Sequence, residues 1–289
     1  MGIPPFRKKI TDMFYYKHWE DFCSWLADSA LRVCTAEQSL KLAEEVRFVV
    51  LKHDVEAAVP RAYRLAEIEH RHGLCGSYYV QAYLLESEEN VRLLQQMQQW
   101  GHEISYHYDV LDAHAGNYEA AEADFERYLR RFEECGFHFA TICQHGNPIK
   151  TRVGYTSNRD FFRNPTIRQR YPQFVDMVVN YSHNTKQAYQ YISDVGYRWN
   201  VITDPETNDL HPEVKNLIIG GFESLKHCIQ KTNRSFIVST HPHRWMQSAL
   251  SIYLTILFFR IVRQCAIIAK HIPGMSYLMN QFYFLAKRI

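Results

Sequence analysis

The chain has 289 residues, 46% hydrophobic and 22% charged, so it holds enough apolar material for a folded core and is neither disordered nor low-complexity. Its 33 basic and 31 acidic residues leave a net charge of +2, which gives no electrostatic case for a nucleic-acid partner. The 15 histidines are the outlying count and turn attention to metal and proton-transfer chemistry.

The opening Met1 to Phe6 lacks the apolar core of a signal peptide, and Phe6 stands where a myristoylation signal has Ser or Thr; a cytoplasmic location is the expectation. Cys23, Cys34, Cys75, Cys135, Cys143, Cys228 and Cys265 form no CxxC pair and read as buried free thiols in a reducing compartment. Up to about residue 45 the pattern is helical: Phe14, Trp19, Phe22, Cys23, Trp25 and Leu26 recur at helical spacing, and Thr35-Ala36-Glu37-Gln38 has the form of a capping box.

An alternation of strands and helices follows. Val46–Lys52 is a β-rich apolar run, and Pro60–His72 reads as a helix with Pro in its first turn and Gly73 just past its end. Cys75–Val80 reads as a strand. Ser87–Trp100 is a helix with Leu93, Met97 and Trp100 on one face, stopped by Gly101. His102–His107 is a short strand. Tyr118–Cys135 is the clearest helix, with Ala121, Phe125, Tyr128, Leu129 and Phe132 in one stripe, and His138–Cys143 is a strand. Residues 147–188 look irregular, which at that length suggests a functional loop or one that covers a site. Tyr189–Ser193, Phe222–Lys231 and Ser235–Thr240 read as strand, helix and strand. Such alternation implies βαβ units and a parallel sheet, and the unbroken apolar strands imply cover on both faces.

The chain divides into a domain over 1–246 and an apolar helical tail over 247–289. In the tail Leu250, Leu254, Leu257, Ile261, Cys265 and Ile268 form a helical stripe, with Ile252, Ile256, Phe259 and Ile267 on the other side. Arg260 and Arg263 interrupt it, short of a spanning helix. Either the tail packs on the domain, or it lies on a membrane surface or partner, with Lys270, Lys287 and Arg288 toward lipid headgroups.

In parallel α/β folds the active site lies at the carboxyl ends of the strands. Here those ends carry Lys52-His53-Asp54-Val55-Glu56, then His107, Cys143-Gln144-His145, Ser193-Asp194 and Thr240-His241-Pro242-His243-Arg244-Trp245. Ionisable groups at the ends of core strands need partners, and a sheet that closes would bring these to one mouth. Carboxylate and imidazole together suit Zn²⁺ or a similar ion and hydrolytic chemistry. No GxSxG, GxxxxGK[ST] or HExxH is present to support a serine hydrolase, P-loop or zincin.

These motifs, in this order, resemble the NodB-type polysaccharide deacetylase superfamily, and most closely its WbmS-like subgroup with an R-H-D-V-D first motif. LKHDVEAAVPRAYRLAEIEHRHGLCGSYYV resembles the subgroup's first βαβ unit, and GHEISYHY, QHGNP, YISDVGYRWN and STHPHRW resemble its later motifs. The resemblance runs from about Phe14 to Trp245. It implies a distorted (β/α)7 barrel that removes N-acyl groups, usually acetyl, from amino sugars with one divalent metal, zinc by preference.

Carried over residue by residue, Asp54 matches the catalytic base and Glu56 a metal-ligand position. His107 matches the first His of the H-x-x-x-H ligand pair, His241 the general acid, and Asp194 the Asp that orients it. Arg198 and Trp199 would line the sugar site, with His243 and Trp245 beside the last motif; either Trp could instead be core. Two positions depart from the pattern. Leu111 stands where the second His belongs, which leaves His145, His114 or His243 as the third ligand, or an extra water on the metal in its place, and Glu56 replaces an Asp. For Asp54 the structural alternative is an ion pair with Lys52 or an Arg. His102 reads as a hydrogen-bonded structural His. The arginines of 159–170 either bind a substrate phosphate or form a solvated face.

The resulting expectation is a metal-dependent N-deacylase acting on a free, nucleotide-linked or lipid-linked amino sugar in surface-polysaccharide assembly, with peripheral membrane contact through the tail. Its rivals are a non-catalytic sugar-binding or assembly protein on the same barrel and a deformylase.

Overall fold

Short apolar runs rich in β-branched and aromatic residues, several followed by a helix with a side-chain cap or an early proline, as at Thr35, Pro60 and Ser87, fix the order of elements. A computed structural model describes residues 14–147, 150–185, 188–194, 199–202, 219–248, 250–255, 257–258 and 264. Its strands are β1 (Arg32–Cys34), β2 (Phe48–Val55), β3 (Ser77–Val80), β4 (Glu103–Tyr108), β5 (Thr141–Gln144), β6 (Val175–Asp176), β7 (Tyr189–Ser193), β8 (Asn200–Ile202) and β9 (Ser235–Thr240). The helices are α1 (Tyr16–Ala27), α2 (Ala36–Ser39), α3 (Val59–Arg71), α4 (Glu88–Gln99), α5 (Val110–Ala113), α6 (Tyr118–Glu134), α7 (Arg159–Arg163), α8 (Pro165–Arg170), α9 (Tyr181–Asn184) and α10 (Phe222–Lys231).

The strands form one curled, half-barrel sheet in the order β6-β5-β4-β3-β2-β9-β7-β8, parallel except for the β7–β8 pair. One edge of β2 is shared: β1 pairs with Phe48–Val50, and β3 pairs with Lys52–Val55. Every residue of β2, β3, β4 and β9 is buried, as expected of a sheet covered on both faces. Among the described residues no pairing joins β6 to β8, so hydrogen bonds do not close the sheet into a barrel there.

Helices on the outside build two apolar clusters. One gathers Tyr106, Phe125, Phe132 and Phe161, and the other Trp19, Phe22, Leu65, Phe236 and Trp245. A third cluster, with Val50, Tyr79, Cys143, Tyr191 and Ile237, lies inside the curl. Behind the sheet the buried carboxylate of Glu69 accepts from Trp19 Nε1 at 3.1 Å and Tyr78 Oη at 2.9 Å and lies 2.9 Å from His53 Nε2, so α1, α3, β2 and β3 are tied at one point.

Most predicted elements lie within a few residues of their expected places. Thr35 and Gln38 close a capping box, and Gly73 and Gly101, at φ 70° and 93°, end α3 and α4 in the left-handed region that glycine tolerates. Three local expectations are corrected. Residues 32–34 form a strand; three residues are too few to show a period, and β1 is defined by its pairing with β2. On α4 it is Leu94 and Met97 that are buried, while Leu93 and Trp100 are half-buried. The 147–188 segment holds α7, α8, β6 and α9, because Phe161, Phe162 and Ile167 add to the core.

Six cysteines are free thiols, five of them buried and Cys75 half-buried; Cys265 lies outside the described residues. In the tail, residues 250–255 and 257–258 are helical; Ile252 is buried in the core, while Leu250, Leu254, Leu257 and Phe258 are exposed. Apart from Gln247, Ser248 and Gln264, the remaining tail positions, including Ile256, Phe259, Ile261, Ile267 and Ile268, lie outside the described residues. Among the described residues no helix is long and apolar enough to cross a membrane.

Candidate metal and proton-transfer site

Parallel pairing brings the carboxyl ends of β2, β4, β5, β7 and β9 to one rim. The register sets His107 beside Cys143, His53 beside Thr240 and Ser193 beside Ser239, so the residues that follow each strand meet there. Side chains alternate along β2, so Lys52 and Asp54 point into the curl while His53 points to the helices behind.

Glu56 is the hub. Its Oε1 lies 3.1 Å from His145 Nε2 and 3.9 Å from both His107 Nε2 and His241 Nε2. The donor atoms of Glu56, His107 and His145 all lie within 4.8 Å of one another. His107 and His145 are buried, and the Glu56 side chain, at 23% exposure, is the side open to solvent. Tyr83 Oη donates to the Glu56 carbonyl at 2.6 Å and fixes the backbone past β2. Burial works against the charge on Glu56, but His145, His107 and His241 outweigh it and hold the carboxyl well below its usual range. Burial likewise lowers His107, against the pull of Asp54. The ring Nδ1 faces the Cys143 carbonyl at 3.0 Å, an acceptor only, so Nδ1 carries the proton and Nε2 offers its lone pair to the site.

A second grouping, Asp54, His107 and Cys143, shares His107 and lies deeper. Lys52 decides between the two. Its buried ammonium pairs with Asp54 and sits 4.9 Å from the centre of the Tyr79 ring. Burial opposes the charge on Lys52, yet Asp54 outweighs it and the ammonium is held well above its ordinary value. A cation placed between Asp54 and Cys143 would meet this like charge directly, whereas in the Glu56 group the Lys52 charge acts on His107 and is exceeded there by the pull of Asp54 and Glu56. One carboxylate and two imidazoles match the three-ligand set of catalytic zinc sites, which keep one position open. The donors therefore fit a divalent ion.

Opposite Glu56 stands a His–Asp pair. Asp194, fully buried, accepts from the His241 backbone N–H at 3.0 Å, from Arg244 Nη1 at 2.9 Å, and from His241 Nδ1 at 2.5 Å. Burial pushes the Asp194 carboxyl up, but His241 and Arg244 overcome this and bring it down to about 2. The other ring nitrogen of His241 lies 3.9 Å from Asp54 Oδ2. For Asp54, burial is likewise outweighed by Lys52, His107 and His241, and its carboxyl is lowered.

Asp54, Glu56, His107, His145, Asp194 and His241 are thus brought together. Of the alternatives for a third ligand, His145 is in place, while His114 faces Asp124 at 3.2 Å. Leu111 is buried among apolar side chains of α5 and α6. His243 flanks His241, with ring centres 5.9 Å apart; burial lowers it to about 4. His102 is structural: Nδ1 accepts from the Gly76 N–H at 3.0 Å, and Nε2 meets the Ala66 carbonyl at 3.1 Å.

Trp199 and Trp245 are corrections. Trp199 is 3% exposed and edge-on to Phe222, and Trp245 is fully buried 5.1 Å from Trp19, so neither ring presents a face on which a sugar could stack. Arg198 lies outside the described residues. Of the arginines near 159–170, Arg163 and Arg170 make surface ion pairs with Asp160 and Glu122.

The support for His145 was not foreseen from the sequence. Asp112, one residue past Leu111, is buried and receives Arg152 through two bonds of 2.8 and 2.7 Å, Tyr155 Oη at 3.0 Å and Asn158 Nδ2 at 3.0 Å. The same Asn158 amide donates to the His145 carbonyl at 2.9 Å, and the His145 N–H donates to the Tyr108 carbonyl at 2.7 Å. The loop after β5 is thereby clasped to α5. An Asp followed at long range by Arg and Asn carries no sequence signal of its own.

No known family model, curated protein or solved structure matches this chain.

Proposed function

We propose that the protein is a metal-dependent hydrolase that removes an N-acyl group, acetyl first among candidates, from an amino sugar in surface-polysaccharide assembly. On this reading the curled, open sheet is a distorted barrel of the polysaccharide-deacetylase type, the ion is zinc, and the substrate is a nucleotide- or lipid-linked sugar met in the cytoplasm. The observation that carries the reading is the meeting of Glu56, His107 and His145 with Asp54 and the His241–Asp194 pair at one rim.

Glu56, His107 and His145 would hold a divalent ion, which supplies Lewis acidity and makes water more acidic. Asp54, kept ionised by Lys52, accepts the proton of the attacking water. His241 Nε2, on the side of Asp54 and Glu56, gives a proton to the amine nitrogen as its bond to the acyl carbon breaks, and the proton taken up by Asp54 then restores His241. Asp194 accepts the Nδ1 proton of His241, fixes the ring and steadies its positive charge. His243 belongs to the sugar-facing rim, and the motif that contains Arg198 gives that residue a sugar-binding role.

One observation favours a second reading. A carboxylate paired with a buried ammonium is a weak base, and a non-catalytic sugar-binding protein on the same frame needs no base at all. Metal analysis of purified protein, followed by an acid-release assay on N-acylated amino sugars, separates the two. Zinc at about one ion per chain with acetate released is the expected result. Formate in place of acetate would change the acyl group, and neither metal nor acid release would favour the binding protein.

A further inference from the structure

Among the described residues, the helix that includes 250–255 and 257–258 is docked by one side only. Ile252 is 1% exposed within the core cluster, while Leu250, Leu254, Leu257 and Phe258 stand 67%, 55%, 42% and 69% exposed. Positions 250, 254, 257 and 258 share one face of a helix, so these are a single stripe and not scattered surface residues. The spacing runs on in the sequence through Ile261, Cys265 and Ile268, beyond the described residues.

Charge indicates what covers the stripe. The last acidic residue of the chain is Glu223, and after residue 247 the sequence carries Arg260, Arg263, Lys270, Lys287 and Arg288 with no Asp or Glu. With the whole chain at only +2, the rest of it is net negative and the positive charge is concentrated in the tail. An apolar stripe joined to a purely basic segment is the pattern of a helix that lies in the plane of an anionic bilayer. A protein partner would match the stripe but gives no reason for a segment without a single acid.

We propose that this face docks on an anionic lipid surface, its leucines and Phe258 entering the headgroup boundary and the tail cations facing the lipid phosphates. Leu250 follows His241 by only nine residues, so docking would keep the carboxyl end of β9 within a short length of chain from the lipid. The inference does not depend on the hydrolase reading.

The test is co-sedimentation of the full chain with phosphatidylcholine vesicles with and without phosphatidylglycerol, at low and high salt. Binding that needs phosphatidylglycerol and weakens with salt is expected. A Leu254→Glu, Leu257→Glu double variant changes only exposed positions and should keep its circular dichroism and thermal midpoint while losing at least roughly tenfold in vesicle affinity. Arg260→Gln with Arg263→Gln should weaken binding to the anionic vesicles only. Failure to bind phosphatidylglycerol vesicles, equal binding by the leucine variant, or indifference to lipid charge would each overturn the proposal. So would a dimer in lipid-free solution that the leucine variant abolishes, since a second copy would then cover the face.

Discussion

Asp194 holds His241 from two directions, accepting the backbone N–H through one carboxylate oxygen and the ring Nδ1 through the other. A ring so held points Nε2 toward Asp54 and Glu56. Asp194→Asn keeps the shape but offers an amide that can donate to the ring in place of accepting from it. The acid-release rate should fall roughly a hundred- to ten-thousand-fold, while zinc affinity, set by other residues, stays close to wild type. Steady-state kinetics beside a metal titration read both quantities.

The same carboxylate makes stability depend on pH. Its folded value of about 2 lies below the ordinary 3.8, so its contribution is complete above about pH 4 and disappears as pH falls through 2. The contribution is about 2 kcal/mol. Urea unfolding at pH 5 and at pH 3 should show the drop, and the Asn variant should show a shallower one.

Lys52 and Asp54 form a buried pair that tolerates poorly the loss of one member. Lys52→Met should cost about 3–5 kcal/mol by leaving a carboxylate without its counter-charge. Adding Asp54→Asn should recover much of that loss, because the pair then leaves no uncompensated charge behind. Urea midpoints of the two single variants and the double variant measure this coupling.

Removing a donor from the Glu56 group should separate the two candidate cation groupings. Glu56→Gln and His145→Ala should each weaken zinc binding by roughly tenfold or more, and Cys143→Ser should leave it nearly unchanged. Competition with a chromophoric chelator gives the affinities. A large loss in the serine variant would place the ion against Lys52 and contradict the charge argument.

Asn158→Ala tests the clasp. It removes the amide that joins the His145 carbonyl to Asp112, so zinc affinity should drop by roughly tenfold. The thermal midpoint should move by only a few degrees. A normal affinity would mean that the bond between the His145 N–H and Tyr108 is enough by itself.

The rim residues could be read in the sequence because a parallel sheet places strand ends together. Parallel pairing of β2, β4, β5, β7 and β9 makes Asp54, Glu56, His107, His145, Asp194 and His241 converge, and His145, at the end of β5, is the candidate that lies beside Glu56 and His107. The tryptophans misled because a Trp beside a site motif is equally a core residue; the aromatic packing of Phe14, Trp19 and Phe222 that claims Trp245 and Trp199 comes from distant parts of the chain. Asp112, Arg152 and Asn158 were not legible for the same reason: side-chain networks across a loop have no period. β1 was missed because three residues paired to the lower half of β2 do not differ locally from a turn.

Both imidazoles that face the centre from β4 and β9 arrive with the inner nitrogen already committed, one to a carbonyl and the other to a carboxylate. Neither ring has to trade one protonated nitrogen for the other when a guest arrives. Arrival should therefore depend on how fast a guest reaches the Glu56 side, without a slow internal rearrangement, and the two steps should merge into a single kinetic phase.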